Sequence, residues 1–188
     1  MKKVLAMFLS LMLGIGIVAC SKKEEVKEDT TSDGINYTKQ YSMLYNDYLA
    51  KLRNYTIYDE TDYTVKYYEE NEYPGNEKYL QMVKEAYVDS KENIQKYIDG
   101  IKNDVNTDDK ELSDMNKKLI SEGEKTISNI DKRLEKLDTV TKESYGKSKD
   151  EFIKFVNETT KLENETKSEF NKALEDVNRK LNIDIKND

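Results

Sequence analysis

Residues 77–105 read EKYLQMVKEAYVDSKENIQKYIDGIKNDV, and the fold follows from their rhythm. Leu80, Val83, Tyr87, Ile94, Ile98, Ile101 and Val105 recur at steps of three, four and seven residues. One stripe of an α-helix is therefore apolar, while Lys, Glu and Asp fill the remainder. Asn106-Thr-Asp-Asp109 interrupts the pattern, and Asp108 with Glu111 three residues on reads as an N-terminal capping box. A second stripe runs to about Glu143 through Leu112, Met115, Leu119, Ile127, Ile130, Leu134 and Leu137. Gly123 falls inside it, where it permits a bend or a close approach. Gly146 suits a helix stop, and Ser148-Lys-Asp-Glu151 suits a restart. The third stripe reaches about Leu181 through Phe152, Phe155, Val156, Phe170, Ala173, Leu174 and Val177. At ~1.5 Å per residue the helices are about 45–55 Å long. Similar lengths and short breaks predict an all-α, elongated antiparallel helical bundle over residues 76–182. The competing arrangement is one continuous coiled coil that tolerates Gly146. Residues 183–188 form a short tail.

Upstream, Glu72-Tyr-Pro74-Gly75-Asn76 is a strong break. The segment before it, residues 35–75, is rich in tyrosine. Tyr37, Tyr41, Leu44, Tyr45, Tyr48, Leu49 and Leu52 keep helical spacing as far as about Arg53. Residues 55–68 are ambiguous. Tyr55-Thr-Ile-Tyr58 and Tyr63-Thr-Val-Lys-Tyr67 favour strands, so a short hairpin competes with helix or irregular chain. Ser21 to Gly34 is polar and charged, with almost nothing to bury. It reads as a flexible tether with a reach of roughly 20 Å.

Composition removes most chemistry. Of 188 residues, 31 are Lys or Arg and 38 are Asp or Glu, which leaves a net charge of −7. There is no His, no Trp, one Cys and one Pro. No histidine-based triad, imidazole ligand or cysteine-rich zinc site can be built. An acidic chain also argues against nucleic acid as a partner.

Residues 1–20 read MKKVLAMFLSLMLGIGIVAC. Lys2 and Lys3 precede an uncharged apolar run of 15 residues, Val4 to Val18. A permanent span needs about 20 apolar residues, so the run suits a secretory signal. It ends in Ile17-Val18-Ala19-Cys20, which resembles the lipobox of bacterial lipoprotein precursors. That resemblance implies cleavage after residue 19 and acylation of Cys20, the only thiol in the chain. Residues 1–19 would then be a signal peptide, and 20–34 a lipidated Cys with its tether. Two or more acyl chains hold a protein firmly to a membrane surface without spanning it. The resemblance implies a location outside the cytoplasm. In a cell with two membranes, Ser21 resembles an outer-membrane sorting signal more than the Asp linked to inner-membrane retention. The whole plan is also similar to that of cell-wall-binding lipoproteins of Gram-positive bacteria. This is a likeness of architecture that transfers no binding residues.

Twelve of the 14 tyrosines lie between Tyr37 and Tyr87. A tyrosine ring stacks on sugars or anchors protein partners, and equally well fills a core. Tyr41, Tyr45 and Tyr48 share a helical face with Leu44, Leu49 and Leu52, which predicts a structural role. Tyr63, Tyr67, Tyr68 and Tyr73 flank the Pro74-Gly75 break without a clear stripe and are the candidate partner-binding residues. Tyr67 and Tyr68 are accordingly expected to matter little for stability. Asn157, Asn164, Asn171 and Asn178 recur every seven residues and read as a solvated flank of the last helix. Asp104 to Asp108 starts like a calcium loop, but Asp109 and Met115 stand where Gly and Glu belong. Ser144-Tyr-Gly-Lys147 matches S-x-x-K without its companion elements. No catalytic residue, metal ligand or cofactor is expected. The reading is a non-catalytic interaction or adhesion lipoprotein, or a glycan- or peptidoglycan-binding module that uses the tyrosines.

Overall fold

The structure is a computed structural model that describes residues 16–17, 32–58, 60–162, 169–183 and 185–186. Cys20, the rest of the signal segment beyond Gly16–Ile17, and the tether as far as residue 31 lie outside the described residues. The fold is all-α. Among the described residues there are six α-helices: α1 (Ser32–Leu44), α2 (Thr61–Glu70), α3 (Asn76–Asp104), α4 (Lys110–Asp138), α5 (Lys149–Thr160) and α6 (Glu169–Lys180). A π-turn over Tyr45–Leu49 and a 3₁₀ segment over Ala50–Tyr58 continue α1. Gly16–Ile17 pairs antiparallel with Ile185–Lys186, far below the size that stabilises a sheet.

Side-chain contacts give the register. Along α3 and α4, Lys84 meets Asp138, Lys91 meets Asp131, and Ile98 meets the backbone at Gly123. Rising numbers on one helix against falling numbers on the other make the pair antiparallel. Along α4 and α6, Glu111 meets Lys180, Lys118 meets Asp176, and Gly123 meets Phe170, again antiparallel. The segment from Tyr41 to Tyr58 runs down α3 from Tyr97 to Tyr79. These exposed ion pairs are worth ~0–1 kcal/mol each, so they mark the register more than they hold it. The buried stripe holds it. Leu80, Val83, Ile94, Ile98 and Ile101 of α3 face Leu119, Ile130 and Leu137 of α4 in one continuous core. Each such side chain contributes about 1.5–3 kcal/mol on burial. At Gly123 an added Cβ would lie 2.6 Å from Ile98 Cγ2 and 3.3 Å from Phe170 Cε2. The glycine therefore serves close packing of three helices.

Three boundaries differ from the sequence expectation. Asp109, one residue after Asp108, caps α4: its side chain accepts from the backbone N–H groups of Glu111 and Leu112. Helix α4 stops at Asp138, and a 3₁₀ turn over Lys142–Gly146 follows. The third long helix is two helices, with Ser148 and Glu151 forming the expected capping box at the first. Between Val156 and Phe170 only Leu162 is apolar, so a continuous helix there would have had no face to bury. Helix α6 ends in a Schellman arrangement. Asn182 lies at φ 52°, its N–H donates to the Arg179 carbonyl, and the Ile183 N–H donates to the Asn178 carbonyl.

The Tyr-rich segment is helical from Ser32 to Tyr58 and again from Thr61 to Glu70, so the hairpin over residues 55–68 does not form. Ser32 to Gly34, assigned to the tether, belong to α1. At Tyr45 the ladder loosens to a π-turn, where the Ala50 N–H donates to the Tyr45 carbonyl. Tertiary packing overrides the strand propensity of Tyr63-Thr-Val-Lys-Tyr67. Thr64 and Tyr68, four residues apart, both turn inward and are buried.

Candidate functional site

Tyrosine is used in two ways. Tyr37, Tyr41, Tyr45 and Tyr97 are fully buried between α1 and α3. The Tyr37 hydroxyl donates to Asn116 Oδ1 at 2.6 Å. The hydroxyls of Tyr41 and Tyr97 lie near each other without closing a well-formed hydrogen bond, and Tyr45 lies beside the Arg53 guanidinium. Burial pushes the Tyr37 and Tyr45 hydroxyls up to about 12. It raises Tyr41 and Tyr97 further still, because a phenolate in this interior would be poorly solvated.

A second aromatic cluster sits where α2, the start of α3 and the start of α5 meet. Tyr79 is its hub, with ring centroids 5.9 Å from Tyr58, 6.0 Å from Tyr68, 5.8 Å from Tyr73 and 6.3 Å from Phe152. The four candidate tyrosines divide here. Tyr68 is buried, 6% exposed, and edge-on to Tyr67, Tyr73 and Tyr79. The expectation that it is dispensable for folding is corrected: α2 has a stripe, and Tyr68 is on its inner side. Tyr73 is half-buried, and its hydroxyl donates to Asn76 Oδ1 at 2.6 Å. Tyr63 and Tyr67 are exposed, at 53% and 39%.

Tyr63 and Tyr67 stand on a clamped platform. The Thr64 hydroxyl proton is shared between the carbonyls of Ile57 and Glu60, the latter at 2.9 Å. Asn71 Nδ2 donates to the Tyr67 carbonyl at 2.8 Å, and Lys149 Nζ lies 3.4 Å from the Tyr68 carbonyl. The first fixes the start of α2; the other two occupy carbonyls that its last turn would leave free. The loop beyond is pinned as well. Asn76 Nδ2 donates to the carbonyls of Tyr145 (2.9 Å) and Lys147 (2.8 Å). Gly75 sits at φ 90°, a backbone shape that glycine adopts without strain.

From the N-cap of α2, Glu60, Tyr63, Tyr67 and Glu70 follow steps of three, four and three residues, so the two rings share an outward side of the helix with a carboxylate near each end. The surrounding charge is unbalanced. Residues 59–77 contain seven Asp or Glu against Lys66 alone, a net −6, so the rest of the chain carries only −1 of the total −7. Sequence reading had weighed the tyrosines here and not this charge.

The other singled-out residues serve the fold. Asn178 is 2% exposed and so is not a solvated flank residue, while Asn157 and Asn171 are half-buried. Asn164 lies outside the described residues. Ser144 belongs to the 3₁₀ turn, where its carbonyl accepts from the Lys147 N–H at 3.2 Å. Among the described residues no group of three His, Cys, Asp or Glu is arranged to hold a metal ion, and no helix is long and apolar enough to cross a membrane. Comparison of the chain with protein-family models, with curated proteins and with solved structures finds no match.

Proposed function

We propose that this chain is a lipid-anchored lipoprotein facing outside the cytoplasm, with a non-catalytic interaction role carried by the outer face of α2. The observation that carries it is the pair of exposed rings, Tyr63 and Tyr67, on a helix clamped at both ends. A large aromatic surface held rigid in the free protein loses little entropy when a partner covers it. The lipobox Ile17-Val18-Ala19-Cys20 supports the anchor, with the acyl chains on Cys20 as the membrane attachment. In a cell with two membranes, Ser21 favours the outer membrane or cell surface.

A second reading is a glycan- or peptidoglycan-binding module. It is favoured by the same two rings, since neighbouring exposed aromatic faces suit a sugar plane.

Two measurements test the proposal. Labelled palmitate is expected to enter the wild-type protein and not Cys20→Ala, which should accumulate as uncleaved precursor. Label retained in Cys20→Ala would remove the anchor assignment. A photoreactive residue at position 63 or 67, in intact cells, is expected to cross-link far more than one at exposed position 132 on α4. Equal cross-linking at all three positions would remove α2 as the contact face.

A further inference from the structure

The charge around the α2 stripe identifies the chemistry of the partner. Helices α3 to α6 balance their charges and pair many of them: Asp114, Glu122, Asp131, Asp138 and Asp176 all meet a Lys within 4.0 Å. Around α2, Glu60, Asp62, Glu69, Glu70, Glu72 and Glu77 are exposed and enter none of the ion pairs found among the described residues. Two basic side chains lie at this helix: Lys66 of α2 itself, one charge against the surrounding carboxylates, and Lys149, which is engaged with the Tyr68 carbonyl and with Asp150 at 3.5 Å. So a concentrated negative field surrounds two exposed aromatic rings.

We propose that this face binds a cationic polypeptide segment, one rich in Lys or Arg. This rests on the reading of α2 as the contact face and names what it contacts. Charge complementarity selects the partner: an acidic rim steers a basic segment in and turns acidic surfaces away. The rings select it too, because a Lys or Arg cation over a tyrosine face gains roughly 0.5–1 kcal/mol at an exposed site. Glu60 and Glu70 lie about 15 Å apart along the helix, a distance that four or five residues of extended chain cover. The segment would place one cation at each carboxylate and others over Tyr63 and Tyr67. A neutral sugar would make stacking contacts here and leave the surrounding carboxylates without a counter-charge.

The test uses the full chain in nonionic detergent micelles and a ten-residue peptide of alternating Lys and Gly. The peptide is expected to bind, and binding should weaken as salt rises. Tyr63→Ala with Tyr67→Ala, and separately Glu60→Gln with Glu70→Gln, should each weaken it by about tenfold or more. Glu124→Gln with Glu135→Gln, at exposed positions on α4, should change it by less than about twofold. No binding, or equal loss from the α4 pair, would overturn the proposal, since the interaction would then be unspecific charge attraction. A muropeptide is titrated in parallel. Tyrosine-dependent muropeptide binding without peptide binding would overturn the cationic partner and leave α2 standing as a contact face. The cross-linking comparison at positions 63, 67 and 132 decides that broader reading independently.

Discussion

The two halves of this bundle are built from different materials. The α3–α4 shaft is aliphatic, with Leu80, Val83, Ile94, Ile98, Leu119, Ile130 and Leu137 in a single seam. Charges on its outside are nearly balanced. The half assembled from α1, α2 and their connecting turns is filled with tyrosine, and the stretch around α2, residues 59–77, carries a net −6. An aliphatic side chain has one good place, the interior. A tyrosine has a ring that gains from burial and a hydroxyl that loses its water there, so its place is set by register and by partners. Tyr67 and Tyr68 make the point within one peptide bond: the first is exposed and the second is core. The same ambivalence that lets tyrosine build the second half also leaves two rings available for recognition.

The sharpest way to break the comparison is to ask whether tyrosine carries stability as aliphatic residues do. Tyr79→Ala is expected to cost about 3–5 kcal/mol, comparable to Leu119→Ala, by thermal or denaturant unfolding. Tyr68→Ala belongs with them. A loss under about 1 kcal/mol at Tyr79 would mean that the shaft alone holds the fold.

The second effect is collective and depends on pH. In the unfolded chain tyrosine titrates near 10, whereas Tyr37 and Tyr45 in the folded chain hold their protons to about 12. The raised values mean that the folded state binds these protons more tightly. Their contribution is therefore fully present below about pH 10 and is lost as pH rises through the folded values. The denaturation midpoint should be level up to about pH 9 and fall steeply above about pH 10. A midpoint that stays level into that alkaline range would show that these hydroxyls are not buried.

Smaller again is the cost of single hydroxyls, which separates satisfied from unsatisfied ones. Tyr37→Phe removes the donor to the buried Asn116 Oδ1 and should cost about 1–3 kcal/mol. Tyr97→Phe removes a hydroxyl without a well-formed bond and should be neutral or stabilising by a few tenths. The reverse order would contradict the hydrogen bonding described for Tyr37 and Tyr97.

The smallest stability effect is expected where function is proposed. Tyr63→Ala with Tyr67→Ala should change stability by less than about 0.5 kcal/mol per residue. A loss approaching that of Tyr79→Ala would assign the pair to the core.

Much of the shaft was legible because its signals are local and redundant. The Leu80–Val105 stripe, the Pro74-Gly75 break and the Ser148–Glu151 box each point the same way. Gly123 was legible as a special position, and its neighbours Ile98 and Phe170 supplied the reason. The break between α5 and α6 has no Pro or Gly to announce it; its only trace is the missing apolar residue between Leu162 and Phe170. The state of residues 55–68 was not legible, because Tyr, Thr and Val favour strands intrinsically and burial of Tyr68 depends on tertiary contacts, with Tyr73 at the break and Tyr79 beyond it. At the candidate site, sequence reading found all four tyrosines but could not divide them. That division depends on which side of α2 meets the bundle.

Chemical nitration of the folded protein, mapped residue by residue by mass spectrometry, tests that division most directly. Tyr63 and Tyr67 should react first, at rates near that of a free tyrosine. Tyr37, Tyr41, Tyr45, Tyr68 and Tyr97 should stay protected until denaturant unfolds the chain. Protection of Tyr63 and Tyr67 equal to that of Tyr97, or early reaction of Tyr41 and Tyr68, would contradict the account.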